Sequence, residues 1–309
     1  MVEVKKLFYK ILFRLFIFNK HKRKKLYICL SKAGIAKYRA LAGLSAEEYK
    51  SGKKFKYFIA VACIIKNEGP YLKEWLEYHK LIGVEHFYVY DNESTDDTKD
   101  ILKPYIDSGE VTYIYYPGRD KQDEAYLDAC RNFADETQWL AVIDLDEFIV
   151  LHKNNNLQEF MAAFCDCSQV SLHWVIYGSS GYEEKPDGLV LENFTKHEAK
   201  PQFTPKSIFN PRTVMDCGAH YMWCCGKWVD ENNKEFGAGN AITANKAQIN
   251  HYVIKSWEEF YKRKATRGCV NATQTFGEDL RKYFDEWDKN EVDDRLMQPY
   301  ADKLKEKGL

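Results

Sequence analysis

From Tyr57 onward the chain alternates short continuous apolar runs with segments whose apolar residues recur at helical spacing. Residues 58–65 form one such run and predict a strand buried on both faces. A helical pattern follows over residues 71–82, and Gly83 stops it. Residues 87–90 predict a second strand. A helix begins near Thr95, where Asp96 and Asp97 lie at the positive end of its dipole. Val111–Tyr115 predicts a third strand, residues 126–134 a helix, and residues 139–143 a fourth strand running straight into Asp144. Strands alternating with helices predict βαβ units and an α/β fold with a mainly parallel central sheet.

Beyond Phe148 the pattern loosens. Residues 157–164 read as a helix and 170–176 as a strand leading into the flexible loop Gly178-Ser179-Ser180-Gly181. Residues 182–248 read as loops and short strands, 249–254 as a strand, Trp257–Arg267 as a helix ending at Gly268, and 279–307 as a charged helical tail. At the other end, Leu7, Phe8, Ile11, Leu12, Leu15 and Phe16 share one helical face while Lys6, Lys10 and Arg14 share another. This run is too short for a spanning helix, which needs about 20 mostly apolar residues. No small-residue cleavage site follows it. It predicts an amphipathic helix lying in a membrane interface. The expected organisation is a basic leader and connector (1–55), a catalytic domain (56–275) and a helical tail (276–309).

Charge sharpens this picture. The net charge is −1, yet residues 1–25 carry +8 and the remainder −9. An acidic body with a basic leader argues against a nucleic-acid binder, whose basic patch sits on the folded domain. It fits a soluble domain held at an anionic membrane surface. Nine scattered cysteines, an odd number with no pair of C-x-x-C motifs, point to a reducing compartment. The expected location is therefore cytoplasmic, peripheral on the inner face of the membrane.

Three polar clusters fall at the carboxyl ends of predicted strands, where open α/β sheets bind ligands. They are Lys66-Asn67-Glu68, Asp91-Asn92 and Asp144-Leu145-Asp146-Glu147. Asp144 and Asp146 can point at one site if the backbone turns. Oxygen ligands of this kind suit Mg²⁺ or Mn²⁺, and such an ion can neutralise a diphosphate leaving group. The plain alternative is a helix N-terminal cap. The absence of G-x-G-x-x-G excludes a Rossmann dehydrogenase. A single glycine in Lys66–Pro70 disfavours a nucleotidyltransferase, which stays open beside a non-catalytic sugar-binding module on the same fold.

The same strings resemble glycosyltransferase family 92 and the related bacterial family-2-like transferases. The resemblance rests on Lys66-Asn67-Glu68, Glu74-Trp75-Leu76-Glu77-Tyr78-His79, the run from Gly83 to Asp96, and Asp144-Leu145-Asp146-Glu147-Phe148. It continues in Gly178-Ser179-Ser180-Gly181, Lys206-Ser207-Ile208, Asn250-His251-Tyr252, Lys255-Ser256 and Glu258-Glu259-Phe260, covering roughly residues 57–270. Tyr182 departs from it, since many relatives carry His there.

The resemblance implies a GT-A fold, a nucleotide-sugar donor, a Mn²⁺ or Mg²⁺ cofactor and transfer with inversion. UDP-galactose or UDP-glucose is the favoured donor, and a cell-surface glycan or lipid-linked glycolipid precursor the acceptor. It implies that Asp91 binds the nucleoside and that Asn67 and Glu68 lie near the base; Asp91 and Asn92 also suit an Asx turn. Asp144 is expected near the ribose or the metal, Asp146 on the metal, and Glu147 behind the strand end. His251 is the expected late metal ligand, with His220 as second choice. Lys255, Lys264 and Arg267 are candidates for the diphosphate. Glu183, Glu184 and Asp216 are candidates for the general base an inverting transferase needs. Gln122 and Asp123 either face the donor or begin a helix.

Overall fold

The computed structural model of the chain describes residues 55–224, 226–237, 239–267 and 278–309, with the backbone alone for 264–267 and 278–279. The basic leader and its expected membrane helix lie outside the described residues.

The first half is a run of β–α units. β1 (Tyr57–Ile65), α1 (Gly69–Leu81), β2 (His86–Asp91), α2 (Thr98–Asp107), β3 (Val111–Tyr115), α3 (Gln122–Asn132) and β4 (Thr137–Val142) follow in order. Their strands are parallel and lie side by side as β3-β2-β1-β4. The alternation of β1 feeds both faces. Ile59, Val61, Cys63 and Ile65 enter one apolar cluster, while Ala60 and Ala62 enter the other. Gly83, at φ +96°, takes the left-handed turn that ends α1, and Val84 N closes it on His79 O at 2.9 Å.

The second half is β5 (Glu147–Leu151), α4 (Leu157–Met161), β6 (Cys167–Ile176), α5 (Val190–Asn193), β7 (Lys196–His197), β8 (Gln202–Phe209), β9 (Val214–Cys217), β10 (Met222–Cys224), β11 (Lys227–Asp230), β12 (Ala247–His251), α6 (Trp257–Arg267), α7 (Glu278–Trp287), β13 (Val292–Asp293) and α8 (Gln298–Glu306). The central sheet reads β3-β2-β1-β4-β8-β6-β12-β5, with β11 beside β6. The mixed α/β architecture with a mainly parallel sheet is the one expected. Two strands break the parallel run: β8 enters antiparallel between β4 and β6, and β5 pairs antiparallel with β12 at the edge.

Neither antiparallel strand follows from local pattern. β8 carries Pro205 in the middle of the sheet, where proline removes a ladder donor and normally argues against a strand; the β6–β8 register shifts between His173 and Trp174, where Pro205 pairs with His173. β5 begins within the acidic cluster itself, so Glu147 belongs to a strand rather than to a helix cap.

β5 would expose a row of unpaired backbone groups, and α1 covers it. Trp75 Nε1 donates to Glu147 O at 2.8 Å, Tyr78 Oη donates to Ile149 O at 2.7 Å, and Ile149 N donates to His79 Nε2 at 3.3 Å. Burial pushes His79 down to about 3, so its neutral ring can donate through Nδ1 to Trp75 O and accept at Nε2. The Trp75-to-His79 stretch therefore clamps the strand immediately behind Asp144 and Asp146. Leu280, Phe284, Met297, Ala301 and Leu304 bring α7 and α8 into the same core. No helix among the described residues is long and apolar enough to cross a membrane.

Candidate active site

The loops that follow β1 and β2 are tied together at the carboxyl edge of the sheet. Asn67 adopts φ +53°; its N–H donates to Ser94 Oγ at 2.9 Å, and its Oδ1 accepts from Thr95 N at 2.7 Å. Gly69 N donates to Asp96 Oδ2 at 3.0 Å. Asp91, 3% exposed, accepts from Ser94 N at 2.9 Å and Tyr113 Oη at 2.6 Å. Asp91 thus caps its own loop through Ser94 N, three residues on rather than the two of an Asx turn, while Asn67 joins the first two loops.

At the end of β4 the acids divide between two cationic partners. Asp144 Oδ1 accepts from Gln122 Nε2 at 2.7 Å and Tyr126 Oη at 2.9 Å, and Oδ2 accepts from Lys206 Nζ at 2.8 Å. Lys206 is fully buried. It also lies 3.4 Å from Glu147 Oε2 and donates to Ala219 O at 3.1 Å. Burial works against its charge, but Asp144 and Glu147 outweigh it and hold the ammonium above its ordinary range. Burial drives the Glu147 carboxyl up, and its Oε1 has no hydrogen-bond partner. Glu147 also accepts from Asp144 N at 2.9 Å, which fixes the turn between the two acids.

Asp146 faces the other way. Its Oδ2 accepts from Arg263 Nη1 at 3.0 Å, and its Oδ1 lies 3.5 Å from His251 Nε2. Burial alone would raise this carboxyl. His251, Arg263 and Lys255 together hold it well below the usual carboxylate range. Lys255 is not on an exposed helix face. It sits at φ +58° just before α6, 3% exposed, with Nζ 4.3 Å from the centre of the Tyr71 ring. Burial and then Arg263 lower its pKa, against the pull of Asp146, Glu68 and Glu259. Glu68 is buried and acts electrostatically on both Lys255 and Arg263, which places it with this cluster.

The remaining candidates separate. Asp123, at the start of α3, is raised by burial and by Asp216, against a backbone hydrogen bond from Ala219. Asp216, on β9, therefore lies beside the Asp144–Lys206 side of the site. Glu183 is exposed and pairs with Arg281 through two 2.9 Å hydrogen bonds. Glu184 is exposed. His220, at the tip of the β9–β10 hairpin, is pushed down to about 4 by burial and by Lys206. Its ring centre lies 5.1 Å from that of Trp174, which is 4.2 Å from that of His251. The side chains of Lys264 and Arg267 lie outside the described residues. Arg263, one turn earlier on α6 than Arg267, is the arginine that reaches Asp146. Its only signal in the sequence is its position on a charged helix, and that signal does not distinguish it from its neighbours.

Among the described residues no group of three or more His, Cys, Asp and Glu side chains is arranged to hold a metal ion. The donor set fits a divalent ion through two residues. Asp146 Oδ1 and His251 Nε2 converge, whereas both Asp144 oxygens are engaged by Gln122, Tyr126 and Lys206. Mg²⁺ commonly takes one or two carboxylates and completes its shell with other oxygens, and Asp146 with His251 offers one carboxylate and one imidazole.

Acids, histidines and cations thus gather at the carboxyl edge of a mainly parallel α/β sheet. The family 92 glycosyltransferase profile matches residues 59–300, and the chain belongs to glycosyltransferase family 92. A family 92 protein of Ricinus communis is 27% identical over 223 residues, covering 67% of this chain and 38% of that protein. One from Arabidopsis thaliana is 23% identical over 304 residues, covering 87% and 51%. The chain thus spans about half or less of the length of these relatives. Among solved structures, S. aureus TarS 1-349 in complex with UDP matches at TM-score 0.37 and 17% identity, covering 74% of this chain and 70% of that one. Glucosyl-3-phosphoglycerate synthase from Mycobacterium tuberculosis, in complex with Mn²⁺, UDP and glucosyl-3-phosphoglycerate, matches at TM-score 0.29 and 20% identity, covering 43% and 49%.

Proposed function

We propose that the chain is an inverting hexosyltransferase that uses a UDP-sugar, UDP-galactose or UDP-glucose foremost, and transfers to a hydroxyl of a cell-surface glycan or its lipid-linked precursor. The observation that carries this reading is the largely buried Asp146–His251–Arg263–Lys255 cluster at the sheet's carboxyl edge in a family 92 chain. Two buried cations beside a strongly acidic carboxylate provide charge for a diphosphate in a water-poor setting, where electrostatic stabilisation acts most strongly. Arg263 and Lys255 bind the diphosphate oxygens. Asp146 and His251 would hold a Mn²⁺ or Mg²⁺ ion, whose contribution is neutralisation of the departing charge. Lys206, Gln122 and Tyr126 hold the Asp144 carboxylate in place. Asn67 and Asp91 frame the nucleoside end, and Glu68 lies with the Lys255–Arg263 pair instead of near the base.

For the base, the pairings favour Asp216 over Glu183 and Glu184. Glu183 is neutralised by Arg281, which lowers its pKa and weakens it as a base. Asp216 acts electrostatically on Asp123, on the Asp144–Lys206 side of the site. The acidic body and basic leader support an anionic membrane surface as the place of action.

The test is a thermal-shift titration with UDP and with GDP, each with and without Mn²⁺, because a ligand of the native state raises its apparent stability. Metal-dependent stabilisation by UDP and release of UDP from a UDP-hexose are the expected results. Folded protein that responds to neither nucleotide would overturn the reading in favour of a non-catalytic module.

A further inference from the structure

One face of α1 touches both halves of the Asp146 cluster. Tyr71, Trp75 and Tyr78 recur along it at helical spacing. Trp75 and Tyr78 grip the backbone of β5 at Glu147 O and Ile149 O, and so hold the acid side. Tyr71 reaches the cation side. Its Oη donates to Glu259 Oε1 at 2.6 Å, across 188 residues, and the Lys255 ammonium lies 4.3 Å from the centre of its ring. Burial and Glu259 raise the Tyr71 hydroxyl above its ordinary range, so it stays a donor.

Glu259 is itself part of a closed cap. Its Oε2 accepts from Ser256 Oγ at 2.7 Å and from Ser256 N at 3.2 Å, and Glu259 N donates back to Ser256 Oγ at 3.2 Å. This is the reciprocal capping box of a helix start. The other first-turn N–H groups of α6 are taken as well: Trp257 N by Tyr182 O at 3.4 Å, Glu258 N by Glu183 O at 2.9 Å, and Phe260 N by Ser256 O at 3.0 Å. With those donors occupied, the positive charge on this side comes from side chains. Lys255 stands just before the cap, and Arg263 stands one turn after Glu259 on the same helix face.

The two cations are held differently. Arg263 donates to Asp146 Oδ2 and to Val253 O, so its place follows from where α6 begins. Lys255 has φ +58°, a backbone that a non-glycine residue keeps only where its surroundings impose it. The one hydrogen bond of its ammonium among the described residues is a 3.4 Å contact with Tyr252 O. The Tyr71 ring supplies the other hold, a cation–π contact. A side chain that only filled space between α1 and α6 would need neither the hydroxyl nor an ammonium over its ring.

We propose that Tyr71 is a positioning residue of the site: its ring seats the Lys255 ammonium, and its hydroxyl, through Glu259, fixes the start of α6 and with it Arg263 opposite Asp146. This role rests on the transferase reading and names the residue that sets the two cations assigned there to the diphosphate.

The experiment compares the full chain with Tyr71→Phe, which keeps the ring, and Tyr71→Leu, which removes ring and hydroxyl. UDP and uridine binding are measured by calorimetry with Mn²⁺, and amide hydrogen exchange over residues 256–263 is followed without ligand. Tyr71→Leu is expected to lose about tenfold in UDP affinity with uridine affinity unchanged, and Tyr71→Phe to recover most of that loss. In a Lys255→Met background Tyr71→Leu is expected to cost much less UDP affinity than it does in the parent. Both variants are expected to exchange about fivefold faster at the start of α6. Equal losses for UDP and uridine, parental UDP affinity in Tyr71→Leu, or parental exchange in both variants overturns the role. A parent that binds neither UDP nor uridine defeats the transferase reading instead. In that case, or where Tyr71→Leu does not fold, the exchange of Tyr71→Phe decides: faster exchange upholds the clasp on α6 and parental exchange overturns it.

Discussion

Lys206, fully buried, holds Asp144 Oδ2 at 2.8 Å from a strand that lies 62 residues further along the chain. The same ammonium stands 3.4 Å from Glu147 Oε2, so one buried cation serves both acids. Removing one partner of a buried charge set costs more than the set contributes, because the remaining charges lose both water and partner. Lys206→Met is expected to lower unfolding free energy by about 3–5 kcal/mol, measured by urea denaturation at neutral pH. A loss below about 1 kcal/mol would mean that the acids are solvated in the native state.

Arg263 closes on Asp146 across 117 residues. If it serves the diphosphate, Arg263→Gln weakens UDP binding by about tenfold or more while the circular dichroism spectrum is retained. Asp146→Asn is expected to reduce turnover by at least about 100-fold with the fold intact. An Asp146→Asn protein with parental activity would remove Asp146 from the mechanism.

Glu74 supplies a pH dependence. Its carboxylate accepts from Val190 N and Leu191 N, both at 2.9 Å, and so fastens α5 to α1. Burial nevertheless raises its pKa from 4.5 to about 7. The folded state therefore keeps the proton over a range where the unfolded chain has released it. The associated stability is fully present below about pH 4.5 and declines as pH rises towards about 7, at up to about 1.4 kcal/mol per pH unit. Unfolding free energies measured from pH 4.5 to 7.5 are expected to show this slope in the parent and not in Glu74→Gln. Parallel curves for the two proteins would contradict it.

The leader gives a further prediction. Residues 1–25 carry nine basic side chains against one acid, and each basic residue near an anionic surface contributes about 1 kcal/mol at low screening. Deleting them is expected to abolish sedimentation with phosphatidylserine vesicles, and added salt is expected to weaken binding of the full chain. Equal vesicle binding after truncation would place the attachment elsewhere.

The alternation of β1 through β4 with α1 to α3, and the three polar clusters behind β1, β2 and β4, were readable from the chain because each rests on local signals. A run such as residues 58–65 is apolar enough to demand burial on both faces; Gly83 permits a backbone that other residues resist; and polar residues directly after a buried strand must emerge at its carboxyl edge. The family strings added His251, which the structure places 3.5 Å from Asp146.

Tertiary structure alone decided the rest. β8 is a central strand despite Pro205, because its neighbours β4 and β6 bury it on both sides, and no local propensity announces that. Lys206 and Arg263 read locally as ordinary cations. They become partners of Asp144 and Asp146 only when sheet register and the docking of α6 carry them across 62 and 117 residues. The division of the two acids between separate cations follows from the same cause. Which charge meets which is set by the packing of distant elements, and a long-range contact of that kind leaves no periodic trace in the sequence.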